Sequence, residues 1–463
     1  MNLPEPFVRR VLADLGEADG RALCAALDGV PPVSVRLNPA KADAGTGFAA
    51  LMPERAVPWC REGLYLRERP SFTLDTDFHA GAYYVQEASS QFVGYLLGRL
   101  PLAGARVLDL CAAPGGKTTL YASLVGGDGL VVANEIDRRR ASVLSDNVRK
   151  WGTGNVAVTT CEPRAVCDFE AWFDVVAVDA PCSGEGMFRK DDQARGEWSE
   201  GNVRICAARQ DAILREAWRA LKPGGTLLYS TCTFNREEDE GSLERMLVWA
   251  GEEVVGAEEI GVGETRVEEW GIVCGAVGPW RTFRFYPHRV CGEGFFAAVA
   301  RKAPDAGDRT HVPKARRQVV APVDRKCAGE LSRWVCEPAR MRFVEIAGTC
   351  YAWPSAQAEA LQALSGAVPV IYAGVALGQL FKGALKPDPA LALYAGIDRS
   401  AVAVAELSGE RAVAYLRRQE VSPEGLAEGI NLICARGRAL GFAKRIGGRV
   451  NNLYPNSLRI IKQ

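Results

Sequence analysis

The sequence predicts an α/β protein built around a doubly wound, largely parallel sheet, with a smaller α+β unit on either side. Two observations predict the sheet. Short apolar segments alternate with amphipathic helical segments through the middle of the chain, and a Gly-rich turn follows the first of those apolar segments. A length of 463 residues leaves room for two or three domains.

The first predicted strand is ARVLDL, residues 105–110, and it runs into CAAPGGKTT, residues 111–119. A strand followed by a Gly-rich turn and a helix indicates a nucleotide site. The turn resembles a phosphate-binding P-loop, but Cys111 stands where the first Gly of that motif belongs, and Pro114 lies inside the loop.

The following segments continue the alternation. A strand is predicted over 129–137, then a helix with a basic face over 138–152 that Gly152 closes, then strands over 155–160 and 173–182. RQDAILREAWRALKPGG, residues 209–225, predicts a helix with a Pro-Gly-Gly stop, and TLLYSTCT, residues 226–233, predicts the fifth strand. Two more strands, over 281–288 and 292–302, are expected near the edge of the sheet.

Composition changes along the chain predict four regions. We expect a small N-terminal accessory domain over 1–77, the sheet domain over 78–302, a polar, basic, Pro-containing linker over 303–326 and a C-terminal α+β region over 327–463.

Charge and cysteine content exclude some classes of protein. Lys plus Arg and Asp plus Glu are both 56, so net charge indicates no partner, although residues 436–463 hold seven basic and no acidic side chains. The 14 Cys include no Cys-x-x-Cys pair, so we expect no metal site. The start of the chain has no signal-peptide core, and no run approaches the ~18 apolar residues of a membrane helix. We therefore expect a cytoplasmic protein with reduced thiols and no membrane contact.

Acidic residues after the second and third strands indicate which nucleotide is bound. Glu135 lies 20 residues after Gly115, where an acid binds ribose hydroxyls. Glu162, just after the third strand, could meet an adenine edge. These two acids suit S-adenosylmethionine better than ATP.

Two cysteines follow neighbouring strands. Asp179 and Cys182 end the fourth strand and Cys232 ends the fifth, so we expect the two thiols to converge on the cofactor side. A thiolate that adds to carbon 6 of a pyrimidine makes carbon 5 nucleophilic enough to accept a methyl group. Asp179 would supply the acid at ring nitrogen 3, and the second thiol would assist release. The residues alone do not rank the two cysteines, and the Pro-Cys motif of DNA cytosine methyltransferases would nominate Cys182 as the nucleophile.

Several stretches resemble the Nol/Nop/Sun family of RNA cytosine-C5 methyltransferases, and within it the bacterial RsmF type that acts on 16S ribosomal RNA. They are SVRLNPAK, GAYYVQEASSQ, DLCAAPGGKTT, NEID, DAPCSGEGMFRKD, KPGGTLLYSTCTFNREEDE, GEGFFAAVARK and, near the end, GFAKRIGGRVNNLYPNSLR, which is similar to a PUA-like module. The resemblance implies a Rossmann-like class I methyltransferase sheet, with Cys232 as nucleophile and Cys182 as the release residue. It also implies cofactor contacts, which are Cys111, Ala112, Ala113, Pro114, Gly115, Gly116, Lys117, Glu135, Arg140, Glu162 and Asp179. The family usually has Asp where this chain has Glu162.

The resemblance further implies an enzyme of ribosomal RNA processing that produces 5-methylcytosine, binds RNA and acts as a monomer. The target base must leave its stack to reach such a pocket, and the N-terminal region and the basic C-terminal module are the candidate docking surfaces. Two alternatives stay open. One is a P-loop-like NTPase with magnesium on Asp179, and the other is a non-catalytic RNA-binding protein on a methyltransferase fold.

Overall fold

The computed structural model describes residues 3–41, 47–48, 51–307 and 309–461. The N-terminal unit is an α+β arrangement whose sheet has the strand order β2-β3-β1-β4. Its elements are α1 (Glu5–Ala26), β1 (Val33–Leu37), β2 (Pro53–Val57), β3 (Cys60–Leu66), α2 (Thr76–His79) and β4 (Tyr83–Tyr84).

The central unit holds the large mixed sheet. Its elements are α3 (Phe92–Leu97), β5 (Arg106–Asp109), α4 (Gly116–Val125), β6 (Leu130–Asn134), α5 (Arg138–Trp151), β7 (Val156–Thr159), α6 (Pro163–Cys167), β8 (Phe173–Asp179), α7 (Asp192–Glu197), α8 (Glu200–Ala220), β9 (Leu221–Thr231), α9 (Glu240–Ala250), β10 (Val254–Val255), α10 (Glu264–Glu269), β11 (Val273–Val277), β12 (Trp280–Phe285) and β13 (Phe295–Lys302). The strands run in the order β11-β12-β13-β9-β8-β5-β6-β7, and β10 pairs with β13.

Strands β7, β6, β5, β8 and β9 are parallel, and β13 returns antiparallel to β9. Alternate residues of these strands enter two different cores: Val107, Val131 and Val175 face one, while Leu108, Val132 and Val176 face the other. Helices on both faces therefore bury both sides of each strand, which is why these segments are apolar throughout. The predicted doubly wound sheet is confirmed.

Two elements begin earlier than the sequence pattern indicated. Helix α8 starts at Glu200, where Ser199 caps it by accepting from the Asn202 N–H. Strand β9 starts at Leu221, because that residue already pairs with Phe173 of β8. The Lys-Pro-Gly-Gly stretch, predicted as a helix stop, thus lies within the strand.

The C-terminal region contains two further sheets. Its elements are β14 (Ala321–Pro322), α11 (Arg325–Ser332), β15 (Met341–Ile346), β16 (Thr349–Pro354), α12 (Ala358–Ala367), β17 (Val370–Ala373), β18 (Val375–Phe381), β19 (Ala384–Pro387), α13 (Pro389–Leu393), β20 (Ala403–Glu406), α14 (Gly409–Leu416), β21 (Gly429–Ala435), β22 (Arg438–Ile446) and β23 (Arg449–Asn452). The sheet orders are β14-β15-β16-β18-β19 and β20-β21-β22-β23. Strand β17 pairs antiparallel with β7, so this region extends the central sheet.

The basic tail is divided by the fold. Arg438 is buried against Asp77 of the N-terminal unit, and Arg436 pairs with the same carboxylate from an exposed position, whereas Lys444, Arg449 and Arg459 are exposed without facing Asp77. Lys462 lies outside the described residues. Only part of the tail can therefore contact RNA phosphates. Within the portion of the chain that the structure covers, no helix has the length and apolar character needed to cross a membrane.

Candidate active site

The site lies where the parallel strands end. Asp109 ends β5, Glu135 follows β6, Asp179 ends β8 and Cys232 follows β9. Asp179 lies opposite Ser230 of β9, and Asp109 lies opposite Ala177 of β8. Neighbouring parallel strands bring their carboxyl ends to one edge, which gathers these side chains although the sequence separates them.

The structure places the two cysteines in contact. Cys182 Sγ and Cys232 Sγ are 3.3 Å apart. The hydrogen bond with Cys232, followed by burial, raises the pKa of the Cys182 thiol well above its ordinary value. Cys182 is therefore held as a neutral thiol beside Cys232.

Asp179 is held by one neighbour on each carboxylate oxygen. Ser230 Oγ donates to Oδ1 at 2.8 Å, and Lys117 Nζ lies 2.8 Å from Oδ2. Burial disfavours the Lys117 charge, but the attraction of Asp179, and then of Cys232, outweighs burial and raises the Lys117 pKa. Lys117 thus lies beside Asp179 and near Cys232, at the carboxyl ends of the parallel strands.

The Gly-rich loop is fastened by backbone contacts. The Ala112 N–H donates to the Asn134 carbonyl at 2.9 Å, and the Pro114 carbonyl accepts from Tyr84 Oη at 3.1 Å. Gly115 has a φ of 109°, and a Cβ there would lie 3.0 Å from Leu144 Cδ1, so the turn requires glycine. Gly116 then begins α4.

Arg36 of β1 ties the N-terminal unit to this loop. Its guanidinium donates to the Gly116 carbonyl at 3.0 Å and to Thr119 Oγ1 at 2.7 Å. Gln86 Oε1 accepts a third bond from Arg36 at 2.7 Å. The N-terminal unit therefore positions the loop as well as covering the sheet.

Glu135 is a buried carboxylate at the end of β6. It is 3% exposed, accepts from the Asp137 N–H at 3.0 Å and pairs with Arg140 Nη1 at 3.1 Å. Arg140 Nη2 also donates to the Ala113 carbonyl at 2.9 Å, which joins Glu135 to the Gly-rich loop. Asp109 is more deeply enclosed: Thr118 Oγ1 donates to it at 2.6 Å, and burial raises its pKa to about 7.

A cavity of about 670 Å³ opens beside Glu135. The predicted cofactor residues in its wall are Cys111, Glu135, Arg140 and the exposed Glu162. Leu110, Ile136 and Ile213 supply apolar wall. A buried carboxylate that can accept from two ribose hydroxyls, set beside apolar surface for an adenine ring, fits S-adenosylmethionine. Burial raises the pKa of Cys111, so this thiol is a neutral part of the wall.

This sheet and site define an S-adenosylmethionine-dependent methyltransferase of the Rossmann-like class. The family model described as 16S rRNA methyltransferase RsmB/F matches residues 100–301, the model of the RsmF N-terminal domain matches residues 3–88, and the RsmF PUA domain matches residues 402–460. The chain belongs to the RsmF family of 16S ribosomal RNA methyltransferases.

Curated relatives agree along most of the chain. A ribosomal RNA small subunit methyltransferase F from Erwinia tasmaniensis is 32% identical over 424 residues, covering 87% of this chain and 84% of the relative. The protein of that name from Cronobacter sakazakii is 31% identical over 444 residues, covering 92% and 89%.

Solved structures share the central fold. A methyltransferase homolog from Pyrococcus horikoshii is 27% identical with a TM-score of 0.51, covering 65% of this chain and all of its own. NSun6 from the same organism, solved with SFG, has a TM-score of 0.52 at 20% identity, covering 65% of this chain and 99% of its own, and shows the fold. The predicted family resemblance, fold class and S-adenosylmethionine cofactor are confirmed, and the NTPase alternative is set aside.

Sequence reasoning missed several buried groups around the thiols. Glu185 Oε1 accepts from Arg10 of α1 at 2.7 Å and from Trp198 Nε1 at 2.9 Å, and Oε2 accepts from the Phe234 N–H at 3.1 Å. The first helix is thereby attached to the loops that follow both cysteines. No local pattern distinguishes such a buried acid from the exposed acids around it. Among the described residues, no group of three or more potential metal ligands comes together.

Proposed function

We propose that the protein methylates carbon 5 of a cytosine in 16S ribosomal RNA through a covalent bond between Cys232 and carbon 6 of the base. The contact of 3.3 Å between Cys182 and Cys232, beside the ion pair of Lys117 and Asp179, is the observation that supports this most directly. Carbon 5 is a poor nucleophile until a thiolate adds to carbon 6, and two thiols divide the work of attack and release.

Electrostatics favours Cys232 as the nucleophile. The thiolate is the attacking form, and the raised pKa keeps Cys182 protonated. The interaction with Cys232 also raises the Lys117 pKa, so the ammonium that pairs with Asp179 lies within electrostatic reach of Cys232. This argument opposes the alternative in which Cys182 attacks.

Lys117 and Asp179 together provide the hydrogen bond or proton that ring nitrogen 3 requires. Asp179 accepts from Ser230 and pairs with Lys117, so the two side chains act together at that ring nitrogen. The pair can hydrogen-bond nitrogen 3 while the thiolate adds and neutralise the charge that develops on the ring.

Release completes the cycle. Bound S-adenosylmethionine supplies the methyl group that carbon 5 takes up. The proton on carbon 5 then passes to water, the proton supplied at nitrogen 3 returns to the Lys117–Asp179 pair, and the bond between Cys232 and carbon 6 breaks, which restores the aromatic ring and the thiolate. Cys182, in contact with Cys232, assists this elimination.

RNA docking completes the proposal. The N-terminal domain, 1–77, and the C-terminal region, 327–463, hold the RNA through phosphate and shape contacts while the target base is unstacked into the sheet domain, 78–302. The segment 303–326 connects the sheet domain to the C-terminal region, and its later part already joins the C-terminal sheet through β14. We propose that a monomer carries all of these surfaces.

Bisulfite sequencing of 16S ribosomal RNA, incubated with the protein and S-adenosylmethionine, tests the reaction. We expect a protected cytosine that is absent without S-adenosylmethionine. Methyl incorporation without any protected cytosine would refute carbon-5 specificity, and RNA binding without methyl incorporation would favour the non-catalytic alternative.

A further inference from the structure

Two buried side chains hold the peptide groups on either side of Cys182. Gln210 on α8 donates from Nε2 to the Pro181 carbonyl at 3.0 Å. Glu238, just before α9, accepts at Oε2 from the Ser183 N–H at 2.8 Å. Gln210 Nε2 also donates to Glu238 Oε2 at 3.0 Å, so the two form one unit, the Gln210–Glu238 pair. Both side chains are completely buried.

The Gln210–Glu238 pair is itself anchored to two elements. Ser242 Oγ on α9 donates to Gln210 Oε1 at 3.2 Å. Tyr229 Oη on β9 donates to the Glu238 carbonyl at 2.7 Å. A buried network with fixed ends restricts the groups that it holds, so it sets where the Cys182 loop lies.

Cys232 depends on different contacts. Its carbonyl accepts from the Gly186 N–H at 2.8 Å, and the preceding Thr231 pairs with Phe296 of β13. A further contact between the two loops joins Ser183 Oγ to Thr233 Oγ1 at 3.0 Å. Loss of the Gln210–Glu238 pair would therefore displace Cys182 while the sheet still holds Cys232.

Burial of the Glu238 carboxylate destabilises the fold, and packing alone does not require a carboxylate at this position. Among the described residues, its Oε1 is buried with no hydrogen-bond partner, and burial raises its pKa to about 7. Unsatisfied buried polar atoms are rare, and they are retained most often at functional sites. The Glu238 charge also bears on Cys182, adding to the effects of Cys232 and burial in raising that thiol's pKa.

We propose that Gln210 and Glu238 are positioning residues for the release step, which place the Cys182 thiol against the bond between Cys232 and carbon 6. The inference rests on the proposed function. We expect the Gln210–Glu238 pair to affect the breaking of the bond between Cys232 and carbon 6 much more than its formation.

Glu238→Ala tests the inference, with Glu237→Ala as a matched control because Glu237 is its exposed neighbour. Each variant is incubated with 16S ribosomal RNA and S-adenosylmethionine. We expect Glu238→Ala to slow multiple turnover by about tenfold or more, while the first methyl transfer to RNA changes much less. A denaturant-resistant protein–RNA adduct should accumulate several-fold above the wild-type level, and Glu237→Ala should match the wild type.

Two further variants keep the result interpretable. Asp239 is a buried acid in the same turn, and it contacts Thr231 and Arg284. Asp239→Asn is therefore a control for a general loss of stability, which should lower activity without accumulation of the adduct. If Glu238→Ala does not fold, Glu238→Gln keeps the volume of the side chain and replaces it in the same experiment. The expected changes in turnover and in the amount of adduct are then smaller.

Equal slowing of attack and release by Glu238→Ala, without adduct, would overturn the positioning role, and so would wild-type behaviour. Cys182→Ala separates this failure from failure of the proposed function. If Cys182→Ala traps an adduct and Glu238→Ala does not, only the inference falls. If neither variant traps an adduct, both the inference and the proposed release of a covalent intermediate by Cys182 are wrong.

Discussion

Arg438 and Asp77 form a buried ion pair that joins the C-terminal module to the N-terminal unit. Arg438 Nη1 lies 3.0 Å from Asp77 Oδ1, and both side chains are almost fully enclosed. Arg436 Nη1 approaches the other carboxylate oxygen at 2.9 Å. Burial raises the pKa of Asp77 even though both arginines oppose that shift, so desolvation outweighs their attraction.

We expect Asp77→Ala to destabilise the protein by about 3 kcal/mol or more, because it leaves Arg438 charged and enclosed without this partner. Thermal unfolding measures the loss. Asp128→Ala is the control, since its pair with Arg340 is exposed on both sides and should leave the melting temperature nearly unchanged. Equal melting temperatures for the two variants would contradict the expectation.

The exposed part of the basic tail predicts an RNA contact. On the β22–β23 hairpin Arg449 lies opposite Ile446, two residues from Lys444, and both basic side chains are exposed. The double variant Lys444→Gln, Arg449→Gln should bind RNA more weakly. Its binding should release fewer counterions, by about two at most, so its affinity should fall less steeply as the salt concentration rises. Filter binding across salt concentrations measures both quantities, and cofactor affinity should not change. An unaltered salt slope would remove this hairpin from the RNA-binding surface.

Glu135→Ala should weaken S-adenosylmethionine binding by roughly tenfold or more, because a charge-assisted hydrogen bond to ribose is lost. Isothermal titration calorimetry without RNA measures the affinity directly. Glu54→Ala, on the exposed strand β2, is the control. An unchanged affinity in folded Glu135→Ala would disprove the ribose contact.

The two cysteines should respond differently to removal. Cys232→Ala should lack both methylation and adduct, since attack is lost. Cys182→Ala should still attack but release slowly, so a shifted band should appear on a denaturing gel. The double variant should show no adduct, because attack precedes release. The reverse pattern, with adduct in Cys232→Ala, would identify Cys182 as the nucleophile.

Asp109 predicts a pH dependence of stability. Its carboxyl group titrates near 7 in the folded protein, against an ordinary value of 3.8. Between these values the folded protein keeps a proton that the unfolded chain has lost, so the free energy of unfolding falls as pH rises. The slope is at most about 1.4 kcal/mol per pH unit. Asp109→Asn stays neutral, so it should gain stability relative to the wild type between pH 5 and 8. A constant difference in melting temperature across that range would contradict the shift.

The pattern of the chain was sufficient for the five parallel strands of the central sheet. Strands β5 to β9 were predictable because helices cover both faces, and local signals such as Gly152 at the end of α5 mark where elements stop. Strand-end chemistry also predicted which of the 14 cysteines to examine, because parallel strands bring their carboxyl ends together.

The contacts that complete the site could not be predicted in this way. Arg36 reaches Gly116, Gln210 reaches Glu238, and β17 reaches β7 across long stretches of sequence. Periodicity and turn chemistry describe neighbours along the chain, whereas burial and hydrogen-bond partners depend on which surfaces meet after folding. The sequence by itself therefore determined the parallel strands of the sheet, the Gly-rich loop and the pair of candidate thiols. Only the tertiary structure decided that Lys117 belongs with Asp179, that two arginines of the basic tail face Asp77, and that buried Gln210 and Glu238 hold Cys182.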